Sequence, residues 1–251
     1  MRTTAAPLKG IAPSEAWRQE VFNSKPRRDI QKQGKSTTRN PVIVEWAGKV
    51  EYVNGGHERI AALLLEQLWI DGYVRRWKPQ PFDLHELGGP NVVPDFLAEL
   101  DDRTLHVIEV KAKRFVNAEV EARFEISEKF LEPLGIFFHL WTNADKLGSA
   151  TSHTVAELER GRRFAASPEV IAEIGEKAAA CQLIGQLLNS YSWDDVLSAA
   201  AYRAFHIDIT KPIHENTPLL RNHSGTYYSY LFARRNAPAS WWDTLPPSKN
   251  R

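Results

Sequence analysis

Cysteine and long apolar runs are what this chain has least of. Cys181 is the one cysteine among 251 residues, which excludes an internal disulfide and any zinc site built on several cysteines. No apolar run approaches the roughly 20 residues of a membrane-spanning helix, and the first residues lack the apolar block of a secretory signal. His153, His214 and His223 do not fall at metal-ligand spacings with Cys181. We therefore expect a cytoplasmic protein.

The net charge is small but unevenly distributed. The chain carries +1 overall, whereas residues 1–40 hold nine Lys or Arg and three acids, so that this segment is +6 and the remainder −5. Because it has few apolar residues, we predict a flexible basic arm over residues 1–40, with one short helix near Pro13–Phe22. A basic arm on an acidic body suggests a polyanion partner. Lys25, Arg27 and Arg28 are candidates to follow a phosphate backbone, and the alternative is a solvated tail.

From residue 41 the apolar spacing predicts an α/β domain over residues 41–150. It predicts a strand over Val74–Trp77 and Pro81–Leu84, a hairpin over Pro94–Lys111, a buried strand over Ile136–Trp141, helices over His57–Ile70 and Asn117–Glu132, and extended pieces over Val42–Trp46 and Val50–Val53. We expect a mixed sheet flanked by helices.

The composition changes after residue 146. We interpret residues 146–166 as a connection in which Ala156–Phe164 could be helical, and place a second domain over residues 151–233. Its pattern predicts helices from Ser167 to Leu188 and from Ser192 to Phe205, and strands over 206–209 and 226–232, which favours a small, mainly α, winged-helix-like domain. The segment 234–251 contains Trp241 and Trp242, which either dock on the protein's own surface or bind a partner.

The hairpin over Pro94–Lys111 carries the chemistry. Its arms pair across a turn at Asp101–Asp102, so Asp95 and Glu109 return side by side, and Lys111 lies on the same face because side chains alternate with period two. Two carboxylates suit a hard cation such as Mg²⁺ or Mn²⁺. A lysine beside them can hold the attacking water or stabilise negative charge that develops in a transition state. The alternative is that Lys111 only forms a structural ion pair.

Two further groups complete the predicted site. Glu58 lies in the first turn of a helix and could bind a second metal or orient water, although an acid there also interacts favourably with the helix dipole. Lys113 and Arg114 follow Lys111 directly and are candidates for DNA contacts.

These residues resemble those of a known family. Pro94-Asp95 followed by Glu109-Val110-Lys111 resembles the PD-(D/E)xK nuclease superfamily, and the wider pattern resembles the TnsA-type endonucleases of Tn-seven-like transposons. The matching segments are His57-Glu58, Gln80-Pro81-Phe82, Val93–Leu97 and Val107–Lys111. The resemblance covers residues 45–145. Some members have Gln where this chain has Glu109, and the acid here favours an intact metal site.

The resemblance implies a restriction-endonuclease-like fold and a role in DNA cleavage. It implies Glu58, Asp95, Glu109 and Lys111 as catalytic residues, with the three acids as ligands for Mg²⁺ or Mn²⁺. Proteins of this type cut the 5′ ends of a transposon in the bacterial cytoplasm, together with a TnsB-type transposase and a TnsC-type AAA+ ATPase that binds their C-terminal domain. Two alternatives stay open, namely a stand-alone restriction or repair nuclease and a non-catalytic DNA-bound scaffold.

Overall fold

The computed structural model describes residues 13–27, 39–220 and 230–233. The strands are β1 (Arg39–Val44), β2 (Lys49–Asn54), β3 (Val74–Pro79), β4 (Phe96–Leu100), β5 (Leu105–Lys111) and β6 (Ile136–Thr142). The helices are α1 (Glu15–Asn23), α2 (Gly55–Ile70), α3 (Ala118–Leu131), α4 (Ser149–Arg163), α5 (Pro168–Ala178), α6 (Ile184–Leu187) and α7 (Trp193–Ala201). Within these ranges, no helix is long and apolar enough to cross a membrane.

The described residues form two compact units. The first contains the described residues up to 145 together with 232 and 233, and the second contains 146–220 with 230 and 231. In the first unit, four strands pair in the order β3-β4-β5-β6. The β3–β4 and β4–β5 pairs are antiparallel and the β5–β6 pair is parallel, with α3 as the crossover. The predicted mixed sheet flanked by helices is therefore confirmed.

The two faces of this sheet are covered by different helices. Leu97, Val107 and Phe138 share a buried apolar cluster with Phe124 of α3 and with residues of α1. On the other face, the indole Nε1 of Trp77 donates to the carboxylate of Glu66 in α2 at 2.9 Å. The face of the sheet that bears Leu97 also bears Asp95, because the two residues are two positions apart.

Helix α1 belongs to this core. It begins at Ser14, whose hydroxyl accepts a hydrogen bond from the backbone N–H of Trp17, and it buries Trp17, Val21 and Phe22. The short helix near Pro13–Phe22 is confirmed. Residues 13–27 are folded rather than part of the flexible arm that we predicted, because these three side chains fill a space beside the sheet. The remainder of the predicted arm before residue 39 lies outside the described residues.

A buried charge cluster fastens α1 to the sheet. Glu99 of β4 has a fully buried side chain. It accepts hydrogen bonds from Arg18 of α1 at 3.0 Å and from Arg76 of β3 at 2.5 Å, and it forms an ion pair with Arg103 at 3.2 Å. Three guanidinium groups around one buried carboxylate compensate for its lost hydration.

The segments beside β3 differ from the prediction in one place. The β1–β2 hairpin forms where extended pieces were predicted, with Ile43 opposite Val50. By contrast, residues 81–84 are not a strand. A 3-10 turn over Leu84–Leu87 follows them instead, because the side chain of Asp83 accepts the backbone N–H of His85 and caps this turn.

The second unit is mainly helical in its described part. Residues 146–166 are mostly helix rather than connection, since α4 spans most of them and packs against α7. The helix considered over Ala156–Phe164 is thus present, but it begins at Ser149. The predicted helix from Ser167 ends at Ala178, ten residues early, and the short α6 follows after a turn. Ser192 and Asp195 cap the start of α7 reciprocally: the Ser192 hydroxyl accepts the N–H of Asp195, and the Asp195 carboxylate accepts the N–H of Ser192.

The strands predicted in the second unit are not found in the part that the structure describes. His206 forms one isolated bridge to Leu220 in place of the strand over 206–209. Tyr230 and Leu231 are helical, and residues 226–229 lie outside the described ranges, as do Trp241 and Trp242.

Candidate active site

Asp95 and Glu109 lie side by side at one end of the β4–β5 hairpin. Phe96 and Ile108 form the last pair of this ladder. Asp95 and Glu109 are the next residues on the two arms, so they lie opposite one another. Opposite residues in an antiparallel pair project to the same face with Cβ atoms about 5 Å apart. Lys111 follows on that face. The structure therefore brings these three residues together as the hairpin predicted, while their roles in catalysis stay predictions.

Asp95 is bonded to both neighbouring strands. It is 3% exposed, and its Oδ2 accepts a hydrogen bond from the backbone N–H of Val110 at 2.8 Å. Its backbone carbonyl accepts the N–H of Gln80 at 2.8 Å. Because Val110 lies between Glu109 and Lys111, the first bond fixes the carboxylate directly beside these two residues.

Glu109 has one carboxylate oxygen paired and one unpaired. Its side chain is 6% exposed, and Oε1 lies 3.2 Å from the ammonium Nζ of Lys111, whose side chain is 30% exposed. The other oxygen, Oε2, is buried and accepts no hydrogen bond from any residue that the structure describes. A buried carboxylate oxygen without a donor is destabilising. A bound cation would compensate for it.

The donor set fits a magnesium-type ion with few protein ligands. Mg²⁺ keeps several waters and is commonly held by one or two carboxylates, which Asp95 and Glu109 can supply. Within the described ranges, no group of three or more His, Cys, Asp or Glu side chains is arranged to hold a metal ion. The structure thus does not join Glu58 to the pair as a third ligand.

Glu58 has a structural partner at the start of α2. Its Oε2 accepts the backbone N–H of Asn54, the residue that caps the helix, at 2.8 Å. This bond satisfies one of the N–H groups that a helix start leaves without an intrahelical partner. The geometry favours the helix-end interpretation of Glu58, and its predicted catalytic and metal-binding role stays a prediction.

Only the family resemblance drew attention to Gln80 in the sequence. It follows the pair Pro79–Phe96 at the end of the β3–β4 ladder and has φ of 45°, in the left-handed region. A residue before proline favours extended backbone, so the local sequence carried no sign of this conformation. Extending the β3–β4 register by one residue would have placed Gln80 beside Asp95.

The predicted DNA contacts in the first segment have different surroundings. Lys25 is exposed. Arg27 forms an ion pair with Glu86, and its backbone N–H donates to the carbonyl of Gln80 at 3.0 Å, so it anchors the chain beside the candidate site. Arg28 lies outside the described residues.

The other predicted DNA contacts lie on a turn directly after β5. Lys113 begins a 3-10 turn, and its N–H donates to the side chain of Asn143 at 2.8 Å. The guanidinium of Arg114 lies 4.8 Å from the ring centroid of Phe115, which is 58% exposed. The turn therefore presents a cation and an aromatic ring to solvent two to four residues beyond Lys111.

Lys78 is a second cation on the same face, and it was not among the residues predicted for the site. It lies opposite Leu97, two residues along β4 from Asp95, and its ammonium donates to the carbonyl of Ser24. Burial lowers the pKa of Lys78 to about 8, because the charged form loses hydration. The group is still mostly protonated at neutral pH and adds positive charge beneath the site.

In comparisons with known proteins, no family model and no curated protein matches this chain.

Proposed function

We propose that this chain is a metal-dependent DNA endonuclease with a restriction-endonuclease-like first domain. The observation that carries the proposal is the juxtaposition of buried Asp95 and Glu109 with Lys111, in which one carboxylate oxygen lacks a donor within the described residues. Two adjacent carboxylates in the interior repel one another, so a cation between them would relieve both repulsion and desolvation.

The chain's own residues would divide the work of phosphodiester hydrolysis. Asp95 and Glu109 would hold Mg²⁺ or Mn²⁺, which when bound supplies an activated water and neutralises charge at the phosphate. Lys111, partly exposed and 3.2 Å from Glu109, would orient the water or stabilise negative charge on the phosphate oxygens. The hydrogen bond from Val110 to Asp95 would keep the two carboxylates in register during the reaction.

The biological setting we propose is excision of a transposon at its 5′ ends. Its support is the resemblance of residues 45–145 to TnsA-type endonucleases. The partners would be double-stranded transposon-end DNA, a TnsB-type transposase and a TnsC-type AAA+ ATPase. In this proposal the second unit is a winged-helix-like domain for partner binding, although its described part is helical without a strand, and the protein works in the bacterial cytoplasm on DNA.

Cleavage of a plasmid that carries transposon ends tests the proposal. We expect Mg²⁺-dependent cutting by the full chain with its transposase, and none by the Asp95→Asn variant. Asp101→Asn, an isosteric change at the exposed turn of the same hairpin, is the matched control and should cut normally. Unchanged cleavage by Asp95→Asn would contradict the proposed active site. Specific cutting without the transposase would instead identify a stand-alone nuclease, and DNA binding without cutting a scaffold.

A further inference from the structure

The side chain of Gln80 is buried without the hydrogen bonds that an amide needs. The residue is 0% exposed, and neither Oε1 nor Nε2 has a hydrogen-bond partner among the residues that the structure describes. Leaving a buried amide unsatisfied is costly to the stability of a protein. An apolar side chain would avoid this cost, so the amide calls for an explanation other than packing.

The backbone of Gln80 is held in an uncommon conformation from two sides. Its φ of 45° is costly for a non-glycine residue. Its N–H donates to Asp95 at 2.8 Å and its carbonyl accepts from Arg27 at 3.0 Å. Outliers of this kind persist where the surroundings over-determine them, and they cluster at functional sites.

Gln80 belongs to a row of polar residues that crosses three neighbouring strands. It lies just beyond the last pair of the β3–β4 ladder and is bonded there to Asp95, and Asp95 and Glu109 lie just beyond the last pair of the β4–β5 ladder. Two of the three residues carry buried polar atoms without partners in the described structure, namely the amide of Gln80 and Oε2 of Glu109. Independent gaps in hydrogen bonding at both ends of one row point to a common ligand.

The chemistry of the row selects the class of ligand. An apolar group would leave the amide unsatisfied, and an anion would be repelled by the two carboxylates. A hydrated divalent cation suits both groups. Its charge pairs with the two carboxylates, and its waters are strong hydrogen-bond donors to the amide oxygen of Gln80. We propose that Gln80 accepts, through Oε1, a hydrogen bond from a water on a divalent cation held by Asp95 and Glu109.

This inference rests on the proposed function, because it assumes that Asp95 and Glu109 bind the cation. It adds a neutral residue from β3 to the site, which makes Gln80 a positioning residue for the cation's hydration shell. Groups that orient metal ligands in this way change metal affinity about 10–100-fold when they are removed.

Titration of the full-length protein with Mn²⁺ by calorimetry tests the inference. We expect Gln80→Met, which keeps the length of the side chain and removes the amide, to weaken Mn²⁺ binding about tenfold or more. Gln80→Glu keeps an acceptor oxygen and should bind at least as tightly as the wild type. In EDTA, Gln80→Met should be as stable as the wild type or more stable in urea unfolding, because it removes the unsatisfied amide.

The outcomes separate this inference from the proposed function. Equal Mn²⁺ affinity of Gln80→Met and wild type, with binding lost in Asp95→Asn, would overturn the role of Gln80 and leave the nuclease proposal standing. A loss of stability of Gln80→Met in EDTA would mean that the amide serves the metal-free protein through a buried structural water, which also contradicts the inference. If the wild type neither binds Mn²⁺ nor cuts DNA, both proposals fail.

Discussion

The carboxylate of Asp95 accepts the backbone N–H of Val110 at 2.8 Å, so the first acid of the candidate site is also a cross-strand link. Asp95→Asn should preserve this link, since an amide oxygen accepts as a carboxylate does, and we expect wild-type stability in EDTA. Asp95→Ala leaves the N–H of Val110 buried without an acceptor and should cost about 1–3 kcal/mol. Urea unfolding of the two variants measures the difference, and equal losses would argue against the link.

The Glu99 cluster should control the docking of α1. Glu99 is fully buried among Arg18, Arg76 and Arg103, and Glu99→Gln would remove the one buried anion that the three guanidinium groups share, leaving only Glu15 to pair with Arg76 and Arg103. We expect a loss of about 3–5 kcal/mol in the free energy of unfolding. Glu125→Gln is the control, because Glu125 pairs with Lys129 on the surface and such pairs contribute little. A similar loss in both variants would contradict the prediction.

The His106–His139 pair predicts a weakness towards acid. His106 Nδ1 lies 2.8 Å from His139 Nε2. Burial is the main cause that lowers the pKa of His106 well below 6.5, and the neighbouring His139 lowers it further. The unfolded chain therefore binds more protons below about pH 6.5, so stability should fall as the pH falls through that range.

Replacement of this histidine measures its share of the acid response. His106→Phe should reduce the slope of unfolding free energy against pH between about pH 4.5 and 7. His153→Gln, at an exposed position, should leave the slope unchanged. An unaltered slope in His106→Phe would show that other groups govern the response.

Gly161 should be essential for the packing of α4 on α7. A Cβ at this position would lie 2.6 Å from the backbone carbonyl of Leu197, which cannot move aside as a side chain can. We expect Gly161→Ala to destabilise the protein by about 1–3 kcal/mol, measured by thermal unfolding. Gly56→Ala, also in a helix but with open space around the new methyl group, should be neutral or stabilising. The prediction fails if both variants behave alike.

The hairpin and its acids could be predicted because their signals are local. Alternating side chains and a two-acid turn fix which residues share a face, and this places Asp95, Glu109 and Lys111 together. The capping bond of Glu58 is local as well, yet the sequence alone could not choose between a cap and a ligand because an acid in the first turn suits both.

The features that the sequence did not predict depend on contacts between distant residues or on segments with few apolar residues. Helix α1 lies in a basic, polar stretch, and its three apolar side chains count only once the sheet is present. Helix α4 buries Val155 and Leu158 among charged neighbours, so its composition resembled a connection. The conformation of Gln80 is imposed by Asp95 and Arg27, which are remote in sequence.

Side chains alternate between the two faces of the β4–β5 ladder. The site therefore depends on whether the number of residues inserted or deleted within a strand is odd or even, and not on the length of the turn. Extra residues at the turn over 101–104 would leave every pair in the ladder in place. Deletion of a single residue within β5 would instead turn Glu109 and Lys111 towards the α2 face. Length differences between related chains should therefore gather at the turn, and insertions or deletions should be rare inside the two strands.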